Sequence, residues 1–220
     1  MNSFKSIWSV IIIACASGFA TSCQDEDPEP VAVVTTKISD LAADPGTGFN
    51  STTGQPTGVT NKFTFFSFKT GAVVASADSA SAKWDLGFRA STIIVNSATS
   101  GPGTSQVQIV SGIFDDITTA PESGYKSDND PSPIAGAPNA NLAIPTGSAQ
   151  GWYTYDPATN TNKPTAGKVI IIKTSEGRYA KVEILSYYKG APSTPASSDI
   201  ARYYTFRYVY QPNDSKSFIN

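Results

Sequence analysis

The stretch that decides the fold is Lys168-Val169-Ile170-Ile171-Ile172-Lys173, followed by Tyr179-Ala180-Lys181-Val182-Glu183-Ile184-Leu185. Both runs are rich in β-branched and aromatic residues, which favour strands. Between them, Ser175-Glu176-Gly177 supplies a turn, in which Gly177 can adopt the positive φ that tight turns need. The stretch therefore predicts an antiparallel β-hairpin.

The same reasoning, extended outward, predicts a nearly all-β chain. Arg202–Tyr210 is the last predicted strand, and its even positions form one aromatic face. In the strand predicted at Lys83–Arg89, alternation places Trp84, Leu86 and Phe88 on one side, and Asp85 and Arg89 on the other. The 17 glycines and 15 prolines interrupt short apolar runs throughout. The remaining strands are predicted at Lys62–Phe68, Ala72–Ala75, Thr92–Asn96, Gln106–Val110 and Ile113–Ile117, and the segment Ala75–Lys83 is either a weak helix or a loop.

The amino terminus predicts export and lipid attachment. Lys5 and the apolar run Ile7–Phe19 are typical of a signal peptide, residues 1–22, and the run is short for a membrane span. Ala20-Thr21-Ser22-Cys23 resembles a lipobox, so Cys23 is the predicted lipidation site. Cys15 is a less favoured cleavage point, and an ordinary secretory signal is the alternative. Residues 23–59, which begin with four carboxylates and two prolines, are interpreted as a tether, with either a plain linker or a surface-export signal in its acidic run.

The composition excludes several kinds of chemistry. The chain has no His, its single Met is Met1, and its two cysteines are Cys15 and Cys23. Imidazole catalysis and thiolate metal sites are therefore excluded from the mature domain. Sixteen basic and 18 acidic residues leave no strong positive charge, which argues against nucleic acid as a partner. Two acidic pairs, Asp115-Asp116 and Asp128-Asn129-Asp130, are interpreted as solvated turn residues rather than as a glycosidase pair or a Ca²⁺ site.

A long irregular segment interrupts the strands. Residues 120–166 contain seven prolines and form a predicted loop region, where binding residues often lie on a rigid scaffold. Within it, Trp152-Tyr153-Thr154-Tyr155 forms an aromatic island. Nine of the ten tyrosines follow residue 150, and a phenol ring suits a flat or amphipathic ligand. At this stage, ligand binding and core packing explain the island equally well.

Several stretches together resemble the HmuY family of secreted haem-capturing lipoproteins. They are Lys83-Trp84-Asp85-Leu86-Gly87-Phe88-Arg89, Gly151-Trp152-Tyr153-Thr154-Tyr155-Asp156, Gly177–Tyr188 and Tyr204–Tyr210. The resemblance covers about residues 60–210. It implies a single antiparallel β-rich domain, residues 60–220, which is shaped like an open hand and holds haem between two long loop-bearing fingers. The family's iron has two His or Met ligands, which the mature chain does not offer.

The resemblance places one ligand loop between Tyr155 and Lys163, and the other between about Gly124 and Ala149. Tyr phenolate is a known ligand of haem iron, so Tyr125, Tyr153 and Tyr155 are chemically conceivable replacements. A lysine would need a deprotonated amine. The candidate ligand-binding residues are Tyr125, Lys126, Trp152, Tyr153, Tyr155, Thr161 and Lys163, and the candidate iron ligand is Tyr125 or Tyr155.

These observations predict a non-enzymatic, hemophore-like binder of haem or a related tetrapyrrole, serving iron acquisition. It is expected at the outer membrane or cell surface, with membrane contact through the lipid anchor only. By analogy with the family, an outer-membrane haem transporter is the expected protein partner. The alternative is a surface lipoprotein that binds a glycan, a peptide or another non-haem ligand at the aromatic island.

Overall fold

A computed structural model describes residues 32–50, 56–128 and 141–219. Cys23 and the predicted signal peptide lie outside these ranges. Among the described residues the only helical element is a 3₁₀ turn, Ser76–Asp78, so the all-β prediction is confirmed. The strands are β1 Thr35–Ala42, β2 Gly48–Phe49, β3 Pro56–Thr57, β4 Thr64–Ser67, β5 Ala72–Val74, β6 Leu86–Arg89, β7 Thr92–Val95, β8 Gln106–Ser111, β9 Tyr153–Asp156, β10 Thr161–Pro164, β11 Lys168–Lys173, β12 Tyr179–Tyr188 and β13 Ala201–Gln211.

The largest sheet has five antiparallel strands in the order β1-β13-β12-β11-β8. Its central hairpin is the one predicted from sequence, with Ile171 opposite Lys181. Gly177 occupies the turn with φ +78°, a conformation that glycine adopts without the steric cost of a side chain. No helix in the described part of the chain is long and apolar enough to span a bilayer.

A four-stranded sheet in the order β5-β4-β6-β7 supplies the other half of the main core. Ile170 and Ile172 from β11 face the same buried cluster as Phe66 and Phe88 from the smaller sheet. The predicted aromatic face of β13 lies in this cluster: Phe206 stacks on Phe88 with ring centroids 5.7 Å apart. Tyr204, Phe206 and Tyr208 are therefore core packing rather than a ligand surface, whereas Tyr210 is only partly buried against the cluster.

The opposite face of the five-stranded sheet carries a second core. Val169 and Ile171 point there because side chains alternate along a strand, and Phe114 covers them. Lys181 is also buried on this face, where its Nζ donates to the carbonyl oxygens of Phe114 at 2.7 Å and Ile117 at 2.9 Å. Burial lowers the pKa of Lys181. The strand predicted at Ile113–Ile117 was wrong, because this segment turns over the ammonium and satisfies its hydrogen bonds.

Two further sequence expectations need correction. Residues 32–50 were assigned to the tether, yet β1 pairs with β13 along the edge of the large sheet, with Ile38 opposite Phe206. The folded domain therefore begins before residue 60. Trp84 does not share a face with Leu86 and Phe88, because β6 begins only at Leu86 and Trp84 packs with Phe65 on the outer side of the small sheet.

Asp128 is not a solvated turn acid. Its side chain is buried, and its two carboxylate oxygens accept the backbone N–H groups of Val95 at 2.7 Å and Ala143 at 2.9 Å. Burial raises the pKa of Asp128. The residue is therefore a structural tie between β7 and the segment that resumes at residue 141. Asp130, the other half of the predicted pair, lies outside the described residues.

Candidate functional site: an aromatic hairpin

The aromatic island forms a hairpin rather than a loop. β9 pairs with β10, with Tyr155 opposite Asn162 and Tyr153 opposite Pro164. The turn between the strands includes Asn160 in the left-handed region at φ +50°, a conformation that Asn tolerates better than most residues. This hairpin corresponds in position to the ligand loop expected between Tyr155 and Lys163.

Trp152 anchors the hairpin in the main core. Its side chain is 2% exposed, and its indole N–H donates to the carbonyl oxygen of Ser91 at 2.9 Å. Its ring lies 5.5 Å from that of Tyr187 and 5.1 Å from that of Tyr204. For Trp152, core packing is therefore the correct interpretation, and ligand contact is not.

Gly151 lets the chain enter the hairpin tightly. A Cβ at this position would come within 2.1 Å of the carbonyl oxygen of Pro145, so no larger residue fits without a backbone shift. On the far side, the phenol oxygen of Tyr188 accepts the backbone N–H of Asn162 at 2.9 Å. The hairpin is thus tied to the end of β12 as well as to the preceding segment.

The hairpin is held by three tyrosines that were not among the candidate site residues. Tyr187, Tyr188 and Tyr204 are all buried beneath it. Desolvation raises the pKa of each phenol, so these groups remain protonated at neutral pH. Tyr187 and Tyr188 lie just beyond the predicted strand Tyr179–Leu185, and Tyr204 lies on the aromatic face predicted for the last strand, although nothing in the sequence indicated that they meet Trp152.

One face of the hairpin presents the two candidate tyrosines. Tyr153 is partly buried and packs against the main core, with its ring 4.9 Å from that of Trp152. Tyr155 is 43% exposed, and its hydroxyl donates to the side-chain oxygen of Asn160 at 2.9 Å. Tyr155 is therefore the candidate aromatic residue whose ring is open to a ligand.

The other face of the hairpin carries Thr161 and Lys163. Thr161 is buried and its hydroxyl lies 2.7 Å from that of Thr159. The ammonium of Lys163 lies 2.7 Å from a carboxylate oxygen of Asp156, and this hydrogen bond lowers the pKa of Asp156 to about 2. Because Lys163 is held as a charged partner, its geometry gives no support to an amine ligand for iron.

Tyr125 and Lys126 do not join the hairpin. Tyr125 packs in the second core, on the other face of the five-stranded sheet, and its hydroxyl donates to the carbonyl oxygen of Pro121 at 3.1 Å. Burial raises the pKa of Tyr125 well above its usual range. Lys126 exchanges backbone hydrogen bonds with Val107 at the sheet edge. The structure therefore separates Tyr125 from Tyr155, and burial makes the Tyr125 phenolate unfavourable.

The expected first finger, residues 124–149, is described only in part, because residues 129–140 lie outside the described ranges. Of the segment that follows, Ala143 and Ile144 are buried in the main core. Within the described residues, no group of three or more His, Cys, Asp or Glu side chains is arranged to hold a metal ion.

The family model described as "HmuY protein" matches residues 59–208. No curated protein is detectably similar in sequence. A structure from Bacteroides vulgatus, described as HmuY-like and heme-binding, shares 18% identity over 80% of this chain and 91% of its own, with a TM-score of 0.48. An apo HmuY analogue from Tannerella forsythia shares 16% identity over 84% and 100%, with a TM-score of 0.47. A Bacteroides fragilis protein described as a lipoprotein shares 14% identity over 81% and 90%, with a TM-score of 0.44.

The family match covers more than half of the chain and includes the four-stranded sheet, the aromatic hairpin and the five-stranded sheet apart from β1 and the last three residues of β13. It also includes every stretch on which the sequence resemblance was based, apart from Val209 and Tyr210 at the end of the stretch Tyr204–Tyr210. The protein therefore belongs to the HmuY family.

Proposed function

We propose that this protein is a non-enzymatic binder of haem or a related tetrapyrrole for iron acquisition. It acts as a lipid-anchored lipoprotein on the cell surface or outer membrane and passes its ligand to an outer-membrane transporter. The observation that carries this proposal is the family match over residues 59–208. The described residues add an exposed tyrosine on a hairpin that is firmly tied to the core.

The mode of binding must differ from ligation by His or Met, because the chain has no His and its only Met is Met1. In this proposal, burial of the flat macrocycle against the Tyr155 ring supplies most of the affinity, since aromatic rings bury a large apolar area. Tyr155 also carries a phenol oxygen, and phenolate is a ligand that ferric haem accepts. As a neutral phenol, Tyr155 donates to the side-chain oxygen of Asn160 at 2.9 Å, so ligation of iron by the phenolate requires this hydrogen bond to be released.

Parallel absorbance titrations with haemin and metal-free protoporphyrin test the proposal. Saturable binding of both ligands is expected, with a shifted Soret band for haemin. Tyr155→Ala should weaken both ligands because it removes the ring. Tyr155→Phe should change only the haemin spectrum if the phenolate is a ligand. It should change neither spectrum if the macrocycle is held by apolar contact with the ring alone.

Tyr125→Phe is the matched control, because this tyrosine packs on the other face of the large sheet. Its titrations should equal those of the unchanged protein. The absence of saturable binding of either porphyrin would reject the proposed function. Equal affinity of Tyr155→Ala and unchanged protein would place the ligand elsewhere.

Lipid attachment is a separate part of the proposal and has its own test. Mass spectrometry of the protein from membranes should find the mature chain beginning at a lipid-modified Cys23. Cys23→Ala should release the protein from the membrane fraction. Recovery of an unmodified, soluble mature chain beginning elsewhere would refute the anchor while leaving porphyrin binding untouched.

A further inference from the structure

A concavity lies at the opposite end of β12 from the aromatic hairpin. It has a volume of about 400 Å³ and is enclosed by the β4–β5 turn, the segment entering β6 and the turn between β11 and β12. This volume falls within the range of small-molecule sites, about 300–1,000 Å³. β12 has ten residues, so about 30 Å of strand separates the two ends. We call this concavity the Asp85 cleft.

Asp85 lines the cleft from within the protein. Its side chain is 7% exposed, and its Oδ2 accepts the backbone N–H of Phe68 at 2.8 Å. Among the described residues, none donates a hydrogen bond to its Oδ1, and none forms a salt bridge with it. Burial, reinforced by the nearby charge of Glu176, raises the pKa of Asp85 to about 6. The second oxygen borders the cleft, where a ligand that enters can donate a hydrogen bond to it.

The two lysines beside the cleft do not supply that partner. The ammonium of Lys69 lies 2.7 Å from Glu176, and that of Lys83 lies 2.9 Å from Asp78. All four of these side chains are well exposed, and exposed ion pairs of this kind contribute little to stability. A ligand can therefore exchange these pairs for its own hydrogen bonds at small cost. The mouth thus offers donors and acceptors on both sides of the Asp85 carboxylate.

The remaining lining is mixed rather than apolar. Tyr210 contributes a partly buried ring, Val73 and Val74 contribute methyl groups, and Thr174 and Ser175 contribute hydroxyls. The lysines disfavour a purely cationic ligand, and the Asp85 and Glu176 carboxylates disfavour an anion. A neutral ligand with several hydroxyl groups satisfies both signs of charge at once.

We propose that the Asp85 cleft binds a saccharide. Two sugar hydroxyls donate to the Asp85 and Glu176 carboxylates, Lys69 and Lys83 donate to other sugar oxygens, and the aliphatic face of the sugar ring packs on Tyr210. The assignment does not depend on tetrapyrrole binding at the hairpin. It uses a different end of the sheet and a cleft with a mixed polar and apolar lining.

Saturation-transfer NMR and isothermal titration at pH 8 test the assignment. The probes are glucose, galactose and N-acetylglucosamine, with agmatine as a cationic probe. At least one sugar is expected to bind saturably, at millimolar concentration or below. Asp85→Asn should weaken it about tenfold or more, since hydrogen bonds to a charged acceptor are stronger than those to a neutral one. Glu176 lies in an exposed turn, so Glu176→Gln should weaken sugar binding without disturbing the fold.

Asp116→Asn is the matched control, because Asp116 is an exposed carboxylate outside the cleft. It should leave sugar affinity unchanged. The proposal is overturned if none of the three sugars binds saturably, if Asp85→Asn and Glu176→Gln both bind the sugar as tightly as the unchanged protein, or if agmatine alone binds. Haemin titration of Asp85→Asn keeps the two proposals apart, since the hairpin site should be unaffected.

Discussion

The same substitution at two buried aspartates should change stability in opposite directions. Asp85 uses one carboxylate oxygen in a backbone hydrogen bond, to Phe68, whereas Asp128 uses both, to Val95 and Ala143. Asparagine keeps one oxygen acceptor and replaces the other oxygen with an NH₂ donor. Asp85→Asn can therefore keep its bond to Phe68 and remove a buried charge. Asp128→Asn must point a donor at a donor.

The magnitude for Asp85 follows from its pKa. Raising the pKa of the Asp85 carboxyl from 3.8 to about 6 lowers the free energy of unfolding by about 3 kcal/mol at a pH well above 6. The stability contribution of the protonated group is complete below pH 3.8 and is lost as the pH rises through about 6. Because the asparagine amide also needs solvation, we expect Asp85→Asn to stabilise the protein by about 1–3 kcal/mol at pH 8. The difference should vanish near pH 3.8.

The opposite effect is expected at Asp128. A buried N–H that loses its acceptor costs about 1–3 kcal/mol, so Asp128→Asn should destabilise the protein by at least that amount at pH 8. Urea denaturation of both variants and the unchanged protein, at pH 8 and pH 4, gives the four differences directly. Comparing each variant with the unchanged protein cancels the titration of all other groups.

Two outcomes would refute this reasoning. If Asp85→Asn were destabilised equally at pH 8 and pH 4, the carboxylate would have a stabilising partner, and its buried charge would not weaken the fold. If Asp128→Asn were as stable as the unchanged protein, the two backbone N–H groups would not depend on the carboxylate.

Three other changes test the packing around the two cores. Lys181→Met should lower the free energy of unfolding, measured by urea denaturation, by about 2–4 kcal/mol, because two carbonyl oxygens lose a charged donor. Unchanged hydrogen exchange at residues 113–118 would contradict this explanation. Trp152→Phe should lower the stability measured by thermal unfolding by about 1–3 kcal/mol, because it removes the hydrogen bond to Ser91 and leaves a smaller ring. Tyr155→Phe is the exposed control and should lower the stability by less than ~0.5 kcal/mol. Gly151→Ala should lower the unfolding temperature more than Gly190→Ala does, because a Cβ at position 151 would meet the carbonyl oxygen of Pro145. Equal losses in the two variants would mean that backbone conformation, rather than this close approach, sets the cost.

Strands with strong local signals could be predicted from sequence, and elements set by distant partners could not. Lys168–Lys173 was predicted with its observed bounds because four consecutive β-branched residues suit a strand buried on both faces. Ile113–Ile117 also contains residues that favour strands, yet it turns over Lys181, which is more than 60 positions away in the chain and donates to the carbonyl oxygens of Phe114 and Ile117. No local pattern carries that information.

The candidate site shows the same division. The sequence identified Trp152 to Tyr155 as an aromatic island, and the structure places all of it in or beside one hairpin. It could not assign the roles within the island, because those depend on which rings meet Tyr187 and Tyr204. Nor could it separate Tyr125 from the hairpin, since only the sheet topology decides which face of β11 each segment covers.

The hydrogen-bond inventory explains why the two proposed sites lie where they do. In the middle of β12, Val182 is fully buried and pairs with Ile170 of β11 on one side and Tyr208 of β13 on the other. Only the ends of such a strand border turns, where polar groups can remain available to a ligand. At one end, the phenol oxygen of Tyr188 accepts a hydrogen bond from the hairpin that presents Tyr155. Near the other end, only one carboxylate oxygen of Asp85 accepts a hydrogen bond from the described residues. A carboxylate oxygen that borders a cleft and takes no hydrogen bond from the described residues is available to a ligand, which favours Asp85 over Asp128 as a functional residue.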